Sequence, residues 1–102
     1  MSNSLANLPL RGIKILDLSR LLPGPVASMQ LADLGASVIK IEDPLIGDYA
    51  RSMGIVKNQV SQFFIAVNRG KQFLKMDLKD PLEHKKFLNM VREADVVRES
   101  FR

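Results

Sequence analysis

The 102-residue chain carries 15 Lys and Arg against 11 Asp and Glu, a formal net charge of +4, and is 46% hydrophobic, which fits one globular domain of ordinary composition. It has no cysteine and a single histidine, His84, which excludes disulfides, thiolate nucleophiles, cysteine-ligated metals and a metal site built from histidines. The longest wholly apolar run, residues 63–67, is far below the roughly 20 residues a membrane span needs. The opening "MSNSLANLPLRG" also has no basic stretch followed by an apolar one, so a cytoplasmic protein that does not engage membranes is expected.

Residues 1–11 read as a tail leading into the domain, and 12–102 as the domain itself. "GIKILDLS" from Gly12 is dense in apolar residues without clean alternation, as in a strand buried on both faces of a parallel sheet. "LLPGP" breaks it, and Pro25 is placed at the start of a helix, where its missing N–H is harmless. Val26, Met29, Ala32 and Leu34 supply that helix with an apolar stripe, and Gly35 stops it. "SVIKIED" is a second strand, rich in β-branched residues and ended by Asp43-Pro44. Residues 44–59 read as a loop. "VSQFFIAVNRGK" fits a strand or a short helix; the helix is favoured because a strand there would leave no helical crossover to the next one.

"QFLKMDL" is a third strand. A helix follows, with Asp80 as N-cap, Pro81 in the first position and Glu83 completing a capping box. Leu82, Phe87, Leu88 and Val91 lie near one of its faces, and His84 is expected in solvent. "DVVRESF" is a fourth strand. Six basic residues, Arg69, Lys71, Lys75, Lys79, Lys85 and Lys86, gather in this half and read as a solvated face or a surface for phosphates. Aromatics are only 6% and no helix-turn-helix, zinc or RNP signature is visible, so nucleic acid is not an expected partner.

Alternation of strands and helices predicts an α/β fold: a Rossmann-like open parallel sheet with flanking helices and right-handed crossovers. Such a sheet puts every strand's carboxyl end on one edge, and ligands bind in the crevice outside it. The loops at 19–24, 43–48 and 77–80, with whatever follows Phe101, should therefore share one mouth. The first loop offers a helix N-terminus to an anion. It has only Gly24 where a dinucleotide fingerprint needs three glycines, and Pro25 removes a donor, so a dinucleotide is disfavoured.

The blocks "GIKILDLSRLLPGP", "LADLGASVIKIEDP", "GDYAR", "NRGK", "MDLKDP" and "ADVVRESFR", in this order, resemble the start of the family III CoA-transferases. That group includes formyl-CoA transferase and α-methylacyl-CoA racemase. The resemblance covers residues of about 8–102 and implies the N-terminal portion of that fold, with coenzyme A, as substrate or ligand, at the Gly-Pro loop. Carried over position by position, it implies CoA contacts at Leu22 and Pro23, at Asp43, at Met76, Asp77, Leu78 and Lys79, and at Ser100, Phe101 and Arg102. Lys79 is the best candidate for a phosphate contact. Asp48 and Arg51 are expected to pair locally in their loop.

The sequence departs from the family pattern at several positions, among them Gln72 and Phe73 in place of the usual Arg-Ser after NRGK. Asp43 stands where arginine is common, so its contact to CoA would run through backbone. Arg98 replaces an aliphatic strand residue, and Ser100 an asparagine. Family chains run to several hundred residues and form homodimers, and their catalytic aspartate lies further along. The resemblance thus implies a fragment that moves CoA between carboxylic acids only as part of its parent, with no catalytic residue and no metal of its own. The alternatives are a 2-methylacyl-CoA racemase relative, a non-catalytic module for CoA or an adenine nucleotide, and a truncated product that binds nothing.

Overall fold

The computed structural model describes residues 7–99. Four parallel strands form the sheet: β1 (Lys14–Asp17), β2 (Ser37–Glu42), β5 (Gln72–Lys75) and β6 (Val96–Arg98), in the order β5-β2-β1-β6. A separate antiparallel pair, β3 (Val56–Lys57) and β4 (Val60–Ser61), stands outside it. The helices are α1 (Pro23–Asp33), α2 (Gln62–Asn68) and α3 (Pro81–Glu93), and a short 3-10 turn spans Tyr49–Ser52. Among the described residues no helix is long and apolar enough to cross a membrane.

Alternation along the strands divides the core in two. Ile15 and Val38 pack with Ala36 beneath Leu31 and Ala32 of α1. Leu16, Leu18 and Ile41 face the other way and join Met76 beneath Phe87, Met90 and Val91 of α3. Each of the larger side chains among these, Val, Leu, Ile, Phe or Met, contributes roughly 1.5–3 kcal/mol on full burial. Ahead of the sheet, Leu10 donates its N–H to Leu34 O at 2.9 Å and packs on the α1-side core.

The parallel sheet and the helical crossover at 62–68 match the reading from sequence; several boundaries do not. Helix α1 starts at Pro23, so Pro25 is its third residue and is buried. Both prolines still fall among the first residues of the helix, whose N–H groups have no intrahelical partner. The buried face of α1 near its start is Gly24, Pro25, Ser28 and Met29, smaller and more polar than the expected stripe. On α3, Phe87 and Val91 pack inward as expected, whereas Leu82 is 72% and Leu88 44% exposed. The capping box is half formed. Asp80 accepts from Glu83 N at 3.1 Å, but Glu83 Oε2 accepts from Asp77 N at 2.6 Å, because Asp80 N is already given to Asp77 O. Residues 44–59, read as loop, contain the 3-10 turn and, with β4 at Val60–Ser61, a hairpin whose corner, Asn58 and Gln59, has φ of 51° and 65°, as a primed turn requires.

Gly24 has a packing reason for being glycine: a Cβ there would overlap the Cβ and Oγ of Ser19, itself buried. Gly24→Ala is therefore expected to lower stability by about 1–3 kcal/mol through overpacking, read by urea denaturation; an unchanged midpoint would show that α1 and the 19–24 loop are not in register contact.

Candidate functional site

Two buried ion pairs underlie the loop that joins β1 to α1. Asp17, at the end of β1, is fully buried and faces the α1 side. Its carboxylate accepts from the hydroxyls of Ser19 and Ser28, from Ser19 N at 2.8 Å and from Lys71 Nζ at 3.0 Å. Lys71 Nζ also donates to Pro25 O at 3.0 Å and Asn68 Oδ1 at 2.7 Å. Three acceptors match the three protons of an ammonium; burial pulls the Lys71 pKa below the ordinary lysine value, and the charge and hydrogen bond of Asp17 oppose that pull. Burial pushes the Asp17 carboxyl up, but the Ser19 and Ser28 hydroxyls and the Lys71 charge outweigh it and hold it below the ordinary carboxylate value.

The second pair joins β2 to the 3-10 turn. Lys40 Nζ lies 2.8 Å from Asp48 Oδ2, both side chains fully buried, and donates to Ser19 O at 2.8 Å. Asp48 Oδ1 accepts from Leu21 N at 3.0 Å and Ala50 N at 2.9 Å. Burial again raises the carboxyl, and the bonds from Lys40, Ala50 and Leu21 lower it further than burial lifts it. Arg51 grips Glu42 with its Nε and Nη2 at 2.8–3.0 Å and stacks 4.1 Å from the Phe64 ring centroid. The expected Asp48–Arg51 side-chain pair is thus replaced by Lys40–Asp48 and Glu42–Arg51, because strand β2 presents Lys40 and Glu42 on the face that the 3-10 turn covers.

The loops after β1, β2 and β5 enclose a cleft of about 260 Å³. Leu18, Ile41, Met76 and Leu78 form an apolar floor, continued by Ile46 and Gly47; Arg20, Glu42, Asp43, Asp77 and Lys79 supply the polar lining. The volume lies just under the usual range for a whole small-molecule pocket, so the cleft suits part of a larger ligand. Asp43 is exposed and turns its carboxylate on its own loop, accepting from Ile46 N at 3.0 Å and Leu45 N at 2.8 Å. Those two bonds, then the charges of Lys79 and Arg20, hold it below the ordinary value. Asp77 Oδ1 likewise accepts from Lys79 N at 3.0 Å.

Of the residues singled out from sequence, Asp43, Met76, Asp77, Leu78 and Lys79 line this cleft. Leu22 and Pro23 do not; they stand exposed at the start of α1. Ser100, Phe101 and Arg102 lie outside the described residues. Strand β6 runs parallel to β1 and ends with Arg98 level with Asp17. Arg98 is half-buried, and its Nε is shielded from water with no hydrogen-bond partner among the described residues. Sequence reasoning missed Arg20, Ile46 and Gly47, although they sit in loops it had placed at the mouth. Lys71, grouped with the surface lysines, is instead buried against Asp17.

The chain matches CoA-transferase family III over residues 10–102 and belongs to that family. It is 45% identical over 94 residues to acetyl-CoA:oxalate CoA-transferase of Acetobacter aceti, covering 92% of this chain and 24% of that protein. It is 51% identical over 74 residues to succinyl-CoA:glutarate CoA-transferase of Mus musculus, covering 72% of this chain and 17% of that one. The crystal structure of a CAIB/BAIF family protein from Brucella suis superposes with a TM-score of 0.85 at 40% identity, over 93% of this chain and 26% of that chain. The chain thus spans about a quarter of the length of such relatives.

Both depressed carboxyls make stability fall in acid. Their contribution is complete above the ordinary value of 3.8 and is lost as pH drops through their lower folded-state values. Urea midpoints should hold steady from neutrality to about pH 5 and fall steeply below about pH 4; equal midpoints at neutral pH and about pH 3 would contradict it. Asp17→Asn, which strands the Lys71 ammonium, should cost about 3–5 kcal/mol at neutral pH.

Proposed function

We propose that this chain supplies the CoA-receiving mouth of a family III CoA-transferase, an enzyme that moves CoA between carboxylic acids. One observation carries the reading: the loops after three parallel strands meet in a single cleft, and five of the residues assigned to CoA by family resemblance line it. The apolar floor offers contact area to the nucleotide end of the ligand. Lys79, exposed on the rim, is the phosphate contact, and a flexible ammonium suits a phosphate as a point charge. Asp43 reaches the ligand through its backbone, since its carboxylate is occupied by Leu45 and Ile46 and would repel a phosphate.

No carboxylate described in the chain is assigned to catalysis. Asp17 and Asp48 are sealed in ion pairs, Glu42 is gripped by Arg51, Asp43 and Asp77 accept from amides of their own loops, and a nucleophile must reach the acyl carbon. The chain therefore holds part of the CoA site, and turnover depends on residues that it does not itself supply. Transfer rather than racemisation is the activity that the names of the relatives support, and their oxalate and glutarate partners point to small dicarboxylates as the acid class.

Isothermal titration tests the reading. The chain is expected to bind CoA more tightly than dephospho-CoA, and Lys79→Ala to weaken CoA about tenfold, the loss of one charge-assisted hydrogen bond. Equal affinity for the two ligands would remove the 3′-phosphate contact from Lys79. CoA transfer by the isolated chain would show that a nucleophile has been overlooked.

A further inference from the structure

Arg20 is bracketed by the second buried pair. The carbonyl before it, Ser19 O, accepts from Lys40 Nζ at 2.8 Å; the amide after it, Leu21 N, donates to Asp48 Oδ1 at 3.0 Å. Lys40 and Asp48 are themselves 2.8 Å apart. The two peptide groups that set the direction of Arg20 are thus fixed from below by one ion pair. Leu21 is meanwhile held at φ 69°, a left-handed conformation that a leucine adopts only when its surroundings impose it. Apolar burial does not explain that conformation, since Leu21 remains 40% exposed. The residue before it, Arg20, lines the cleft, with its guanidinium 5.7 Å from the Tyr49 ring centroid.

We propose that Arg20 is a ligand-contacting residue of the cleft, taking a phosphate of CoA, and that the buried Lys40–Asp48 pair is the positioning device that aims it. The proposal rests on the CoA reading for its ligand and on the bracket for its geometry. A guanidinium in a fixed direction can meet a phosphate with two parallel N–H bonds, which a mobile one achieves rarely. Arg20 and Lys79 then approach the ligand from the loops after β1 and β5, on either side of the loop after β2.

CoA titrations of the intact chain and of Arg20→Gln, Asp48→Asn and the double variant test the proposal, each at a denaturant-verified folded fraction. Arg20→Gln is expected to weaken CoA about tenfold, Asp48→Asn to weaken it by a similar factor, and the double variant to be no weaker than Arg20→Gln alone, because the pair acts through Arg20. Losses that multiply in the double variant, or full affinity in Arg20→Gln, overturn the proposal. Should Asp48→Asn not fold, Lys40→Met with Asp48→Leu takes its place, removing both charges without stranding either. A second cycle needs no ligand: Asp48→Asn should destabilise less in a Leu21→Gly background than in the parent, since glycine adopts the left-handed conformation unaided. If the parent does not bind CoA, the CoA reading falls and the proposed phosphate contact with it, while the bracket stands or falls on this second cycle, which additive effects would overturn.

Discussion

A lysine ammonium shut away from water must find an acceptor for each proton and a counter-charge nearby. This chain buries two of them, Lys40 and Lys71, at adjoining points under the β1–α1 loop. The rest of the mouth follows from how they are satisfied. Lys71 reaches Asp17, Pro25 O and Asn68, tying the end of β1 to the first turn of α1 and the last turn of α2. Lys40 reaches Ser19 O and Asp48, tying β2 to the same loop and to the 3-10 turn. Ser19 belongs to both networks, so the loop has little freedom to move as a lid.

Building with charge where apolar packing would suffice has a geometric consequence. Replacing a buried pair by hydrophobic residues is often neutral or even stabilising, so these pairs are poorly explained by stability. What they provide is direction: hydrogen bonds fix peptide groups in a way that methyl contacts do not. The small residues of α1 that face the loop, Gly24 and Ser28, fit the same need: a Cβ at Gly24 would overlap Ser19, and Ser28 gives its hydroxyl to Asp17. The cleft itself is apolar at its floor and carries charges of both signs at its rim.

The sheet was legible because period and punctuation agree: β-branched runs, helix starts marked by proline and aspartate, and glycine stops. The three loops that form the cleft were legible for a topological reason, since parallel strands leave no choice of edge. Individual contacts were harder to foresee. Lys40 lies mid-strand in "SVIKIE", between residues that face the opposite layer, and that placement was itself a sign of burial with a partner. Lys71 gave no such sign, because a lysine after a turn glycine is ordinarily solvated. Arg20 was passed over because the resemblance directed attention to Leu22 and Pro23, two residues further along. The half-formed capping box reflects local competition for one N–H group, since Asp77 O takes the Asp80 amide that Glu83 would otherwise have capped.

Lysine side-chain NMR tests the central claim most directly. In a 15N-labelled chain, the ammonium groups of Lys40 and Lys71 should give resolved, slowly exchanging signals near neutral pH, distinct from those of the surface lysines, and both should be lost as acid protonates their carboxylate partners. Ammonium signals that all exchange at solvent rates would mean that neither lysine is sealed beneath the loop, and the structural basis of the mouth would have to be sought elsewhere.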